Sequence, residues 1–214
     1  MKGSLSFITR TASVSETPIG IRAGNFGPRV MEVLGYDRCE QKIYVLEQTR
    51  DQDIDLLPQL FTIRAHGWLA GRTTPVHTFY RDEDEERPSF NSRLAALRAQ
   101  LTPLFPVGGQ NFRLSTLVTK RRAVRILPES TPVRRYDVRV TVRPVDGDNH
   151  VVPMGARKTV TAYLRPRVRL ADVHVHPALE FAVALVSYVG MPYDIGYERQ
   201  SAIFMPLTSY RYQS

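Results

Sequence analysis

The chain has a single cysteine in 214 residues, Cys39, so no disulfide can form within it and the fold rests on packing and hydrogen bonds. Met1 to Glu16 contains no secretory h-region, because Thr, Ser and Arg interrupt every apolar pair. A cytoplasmic or virion location is therefore the expectation. Long hydrophobic runs are also missing. The most apolar stretch, Ala178 to Val189, is 12 residues long, whereas a membrane-spanning helix needs about 20; it reads as core, and no membrane partner is expected. Low-complexity segments and internal repeats are absent. With 43 % hydrophobic and 23 % charged residues, the mixture is that of a globular protein rather than a disordered chain. A single domain over 1–214 is the simplest organisation, with 1–35 either an extended N-terminal arm or part of the core and 208–214 as a short tail.

The familiar catalytic templates are missing too. There is no G-x-x-x-x-G-K-[ST], no G-x-S-x-G and no H-E-x-x-H, and Gly20, Gly24 and Gly27 lack dinucleotide-loop spacing. Cys39, between Arg38 and Glu40, has no partner signature and reads as an ordinary thiol. These absences argue for a binding protein over an enzyme. No catalytic residue is assigned.

Lysine is scarce, since 25 of the 29 basic residues are arginine. That bias has two readings, a genomic codon preference or the use of a planar fork that grips phosphates. The position of the charge is more telling. Residues 119–170 hold 13 basic residues against 4 acidic ones, while the rest of the chain holds 16 against 17. One segment carries the whole excess of +8.

Fifteen prolines and 13 glycines punctuate the chain and exclude long helices over most of its length. The expected fold is α+β, mainly antiparallel sheet with two helices. Lys42–Glu47 and Gln59–Ala65 read as strands joined by the polar loop Thr49–Asp55, with Val76–Tyr80 as a third. Ser4–Thr9 and Arg29–Leu34 are weaker strand candidates. An amphipathic helix is expected over about 88–103, where Pro88 suits the first turn and Phe90, Leu94, Leu97 and Leu101 form a stripe. The acidic run Asp82–Glu86 before it suits a helix start. A buried helix is expected over about 177–189, opened by Pro177 and closed by Gly190, with a central strand as the alternative. Gly108 and Gly109 read as a turn, and Trp68, Tyr188, Tyr193 and Tyr197 as packing residues.

The clearest strand is Arg135–Arg143. Because side chains alternate faces, Tyr136, Val138, Val140 and Val142 point to the core. Arg135, Asp137, Arg139, Thr141 and Arg143 point away. A turn through Asp146, Gly147 and Asp148 follows, and Thr159–Arg169 repeats the pattern with Tyr163, Arg165, Arg167 and Arg169 on the polar side. Lys120, Arg121, Arg122 and Arg125 fall on a neighbouring strand or on the turn leading out of it. If these strands pair, the arginines form a two-dimensional array that suits a phosphate backbone or an acidic protein. Tyr163 is then the only aromatic available on that face for base stacking.

A second constellation is Asp172, His174 and His176, which period two places on one face of a strand. A carboxylate and two neutral imidazoles suit zinc or a similar divalent ion, with His150 as a candidate fourth ligand. The same histidines would make the surface pH-sensitive.

Three functions follow in order. The first is a non-enzymatic subunit of a larger homo- or hetero-oligomeric assembly, either a virion or phage component or a ribonucleoprotein subunit, whose basic sheet contacts nucleic acid or an acidic partner. The second is a metal-dependent enzyme centred on Asp172, His174 and His176. The third is an adaptor or inhibitor of an acidic target.

Overall fold

The computed structural model describes residues 14–15, 28–49, 57–79, 87–107, 109–126, 129–145, 155–176, 178, 180–191 and 197–207. In chain order the strands are β1 (Val14–Ser15), β2 (Arg29–Asp37), β3 (Lys42–Thr49), β4 (Gln59–Arg64) and β5 (Thr73–Pro75). Helix α1 (Arg87–Gln100) follows, then β6 (Phe105–Val107), β7 (Phe112–Val124), β8 (Val133–Pro144) and β9 (Ala156–Tyr163). The last three are β10 (Val168–Val175), β11 (Phe181–Met191) and β12 (Tyr197–Pro206). The fold is thus mainly antiparallel sheet with a single α-helix among the described residues. No helix among those residues is long and apolar enough to cross a membrane.

Four strands form one sheet in the order β1-β7-β8-β9, and eight form the other in the order β5-β4-β3-β2-β12-β11-β10-β6. β8 shows why the smaller sheet packs. Its inward residues Tyr136, Val138, Val140 and Val142 are buried together with Val160 and Ala162 of β9. They meet Val173 and Val175 of β10, Ala182, Ala184 and Val186 of β11, and Ile203 and Met205 of β12.

The segment expected as a second helix is strand β11, which corrects that expectation. Both of its neighbours are strands, β10 and β12, paired antiparallel along nearly its whole length. Both of its faces are covered: Ala182, Ala184 and Val186 by the four-stranded sheet, and Phe181, Val183 and Leu185 by β2–β4. A strand buried on two sides reads as an unbroken apolar run, and such a run has no period by which to distinguish it from a helix.

Covering that second face requires the eight-stranded sheet to roll between β12 and β2. Backbone pairing there is a single parallel contact, Arg199 with Arg29. Beyond it the first half folds over the second, so that Val33, Tyr36, Ile43, Val45 and Ile63 meet Phe181, Val183, Leu185 and Ala202. Helix α1 closes the stack from outside. Its Phe90 and Leu94, with Leu101 just past its end, pack on Tyr44, Leu46 and Leu60. The stripe expected from the sequence is therefore the buried side of α1, and the helix ends three residues before 103. Pro88 sits in its first turn as anticipated, while the acidic run 82–86 lies outside the described residues.

At the roll, side chains take over from the missing backbone ladder. Gln200 Oε1 accepts the Met31 N–H at 2.7 Å, and Lys158 Nζ, reaching in from β9, donates to the Ala202 carbonyl at 2.9 Å. Glu47, only 4 % exposed, stands 2.9 Å from Arg29 Nη1 and 3.5 Å from Arg199 Nη2. Burial, and then the Arg199 charge, push the Lys158 ammonium below its usual pKa, with Glu47 acting against them. One carboxylate thus offsets part of the charge of three cations at the join.

Other expectations change in detail. The third strand of the first hairpin is Thr73–Pro75, which pairs with β4, and His77–Phe79 form a 3-10 turn. Arg29 to Gly35 belong to β2, and Ser4–Thr9 and 208–214 lie outside the described residues. Gly35 has φ +150°, and a Cβ on it would lie 2.8 Å from both Leu101 Cβ and the Thr102 carbonyl oxygen. This close approach lets Tyr36 and Thr102 exchange backbone hydrogen bonds of 2.8 and 2.9 Å, fixing the chain that leaves α1. Trp68, expected to pack, is 92 % exposed at the tip of the β4–β5 hairpin.

Candidate functional site

β7, β8 and β9 present a common outer face whose side chains stand in rows across the strands. Register pairs Arg113 with Arg143, Ser115 with Thr141 and Arg157, and Leu117 with Arg139 and Thr159. After an irregularity at Thr119, it pairs Lys120 with Asp137 and Thr161, and Arg122 with Arg135 and Tyr163. Successive rows are about 6.8 Å apart along the strands and neighbouring strands about 4.8 Å apart. Seven cations, Arg113, Lys120, Arg122, Arg135, Arg139, Arg143 and Arg157, share this face with the carboxylate of Asp137.

The electrostatics of this surface are unbalanced. Arg113 lies opposite Arg143 and Arg122 opposite Arg135, and like charges directly across a pair of strands destabilise it. Asp137 relieves one of the two conflicts, 3.7 Å from both Arg122 Nη2 and Arg135 Nε. Its Oδ1 also accepts from Thr161 Oγ1 at 3.3 Å. Among the described residues no carboxylate pairs with Arg113, Lys120, Arg139, Arg143 or Arg157. The Nε groups of Arg122, Arg135 and Arg143 are buried and without a hydrogen-bond partner. The exposed Arg113, Lys120, Arg139 and Arg157 suit an anion whose oxygens accept charge-assisted hydrogen bonds.

The structure gathers only some of the cations expected from the sequence. Arg121 points to the other side of β7, its guanidinium 5.9 Å from the Tyr136 ring centroid. Arg125 lies just past the end of β7. The expected strand Thr159–Arg169 is two strands, β9 and β10, which belong to different sheets. Leu164, at φ +63°, and Pro166 sit where the chain breaks. Arg165 and Arg167 are consequently exposed in that connection, and Arg169 pairs with Glu198 on the eight-stranded sheet. Tyr163 is buried against Val124, Val133, Leu164 and Val189. Burial raises its pKa while Arg135 and Arg122 hold it back, and no open ring face is left for stacking. Conversely, Arg113 and Arg157 belong to the array although sequence reasoning passed over them. Alternation extended two residues back from Thr159 reaches Arg157, and the odd-numbered positions from Arg113 to Leu117 identify Arg113.

The second constellation comes together only in part. His174 Nε2 lies 3.3 Å from Asp172 Oδ2, and burial is the chief cause lowering the His174 pKa, with Asp172 opposing it. His176 turns elsewhere. Its Nδ1 accepts the Ala178 N–H at 3.1 Å and its ring stacks on Phe105 with centroids 6.2 Å apart. No group of three His, Cys, Asp or Glu able to hold a metal occurs among the described residues, and His150 lies outside them. Cys39 is exposed in the β2–β3 turn, where its N–H and that of Glu40 donate to Asp37 Oδ1.

No protein-family model, curated protein or solved structure matches the chain.

Proposed function

We propose that the chain is a non-enzymatic binding subunit of a nucleoprotein assembly, of the virion or ribonucleoprotein kind, and that it holds nucleic acid through the outer face of β7–β9. The observation that carries this reading is the array of seven cations against one carboxylate, with two pairs of arginines placed directly opposite each other. A surface that tolerates such repulsion gains most from a ligand bringing many negative charges at once, and a phosphate backbone does so while releasing its own counterions. With Tyr163 buried, contact is with the backbone rather than the bases. Binding is therefore expected to be indifferent to sequence and steeply dependent on salt.

The test is binding of random-sequence RNA and DNA across a salt series, comparing wild type with a variant carrying Arg139→Glu, Arg143→Glu and Arg157→Glu. Loss of three phosphate contacts should lower the slope of log K against log salt by about 3 and weaken binding alike for every sequence. Equal affinity and slope in the two proteins would rule the face out. Failure of both proteins to bind at low salt would transfer the array to an acidic protein partner.

A further inference from the structure

The outer edge of β7 is the longest strand edge left without a partner among the described residues. β8 pairs with 12 of its 13 residues, all but Thr119. On the other side β1 covers only Ala123 and Val124. Folded proteins usually blunt such an edge by shortness, charge, proline or a bulge. The C-terminal part of β7 is blunted in this way, by the irregularity at Thr119 and by Lys120, Arg121 and Arg122. The stretch Arg113–Val118 has neither bulge nor proline. It exposes Leu117 at 59 % on one face and Val118 at 43 % on the other, two of the four large hydrophobic residues that the described chain leaves in solvent.

From this edge we infer a strand-addition site for an extended segment of a partner protein, about nine residues long, with a β-branched middle and carboxylates at both ends. Three observations select that occupant. β1 already pairs with this edge in parallel, so its backbone accepts an added strand. The segment Phe112–Val124 contains no acidic residue and carries cations at both ends, Arg113 at one and Lys120 to Arg122 at the other. A second copy of the chain fits poorly: antiparallel pairing centred on Leu117 would set Arg113 against Arg121, and parallel pairing in register would set each cation against itself. An acid-flanked strand replaces that repulsion with attraction, and Leu117 and Val118 supply one apolar contact on each face. The site uses the backbone edge of β7 but shares Arg113, Lys120 and Arg122 with the outer-face array.

The experiment uses the full chain and a capped peptide with a Val-Thr-Val-Thr-Val middle and two acidic residues at each end, beside the same peptide with lysines in place of the acids. We expect the acidic peptide to bind at least about tenfold more tightly and to slow amide exchange over Arg113–Val118. Leu117→Asn combined with Val118→Asn, which removes the apolar contacts without changing the charge, should weaken it by about tenfold or more, while Arg64→Gln, on β4 of the other sheet, should leave it unchanged. The inference falls if the two peptides bind alike, or if the double-asparagine variant binds as wild type does. Slow exchange in the free monomer at those amides of Arg113–Val118 that point away from β8 would overturn it by showing that the chain covers its own edge. A dimer in sedimentation that protects the same amides would overturn it in favour of a second copy.

Discussion

Glu47 is buried among Arg29, Arg199 and Lys158, and the balance of these four charges depends on the carboxylate. Removing one member of a buried ion cluster strands the others. Because the Arg199 side chain is 39 % exposed, the loss belongs at the low end of the usual range, and Glu47→Gln should destabilise the protein by about 3 kcal/mol in urea unfolding. Lys158→Met should behave differently. The lowered Lys158 pKa means that the unfolded chain binds this proton more readily than the folded one. Stability from this group is therefore lost as pH falls from the ordinary value of 10.5 through the folded value, so at neutral pH the charged amine is a burden on the fold. The methionine removes that burden together with the donor to Ala202, and stability should stay within about 1 kcal/mol of wild type. Equal losses in the two variants would mean that Glu47 is not the hub. None of this cluster was legible beforehand, because Glu47, Lys158 and Arg199 come together only through the roll of the sheet. The outer-face arginines of β8 were legible, since each alternates with a buried aliphatic or aromatic residue. Trp68 was not: nothing in its neighbours distinguishes a tryptophan that fills a core from one that stands on a hairpin tip.

β8 and β11 show where sequence periodicity works and where it fails. β8 has one wet face, so its two-residue alternation is plain. β11 is dry on both sides, and Pro177 and Gly190 happen to stand where helix signals would. The β-branched residues Val183, Val186 and Val189 were the available hint, but the decision comes from pairing with β10 and β12, which periodicity within the segment does not report. The break between β9 and β10 was masked for a related reason. Arginine and apolar residues keep alternating through Leu164 to Arg169, although the chain leaves one sheet for the other there. β2 holds a sharper test of element geometry. Gly35→Ala would drive a methyl into Leu101 and the Thr102 carbonyl at a φ that alanine resists, and should destabilise by about 2–3 kcal/mol. Gly67→Ala, at φ +80° with nothing within 4 Å, carries only the backbone penalty of about 1 kcal/mol. Urea titration of the two variants checks the contrast, and similar losses would show that the α1 approach to β2 is looser than described.

Across the whole molecule the parts are held together by unlike means. The β7–β8, β11–β12 and β2–β3 contacts are long backbone ladders, each with one irregularity, whereas β12 and β2 share one backbone pair, with the side chains of Gln200, Lys158 and Glu47 completing the join. Amide exchange should reveal this difference. Met31, held by a side-chain oxygen, is expected to exchange well ahead of Val138 and Val140, and Glu47→Gln should widen the gap. Exchange at one common rate would indicate that the join opens only on global unfolding. A sheet continuous in strand order yet nearly discontinuous in hydrogen bonding acts as two stiff plates on a charged hinge. Any breathing of the protein should begin there and stay small, because swinging the α1 plate would open the core that Val33, Ile43 and Ile63 share with Phe181, Val183 and Leu185, and the spacing of the arginines on β7–β9 stays fixed.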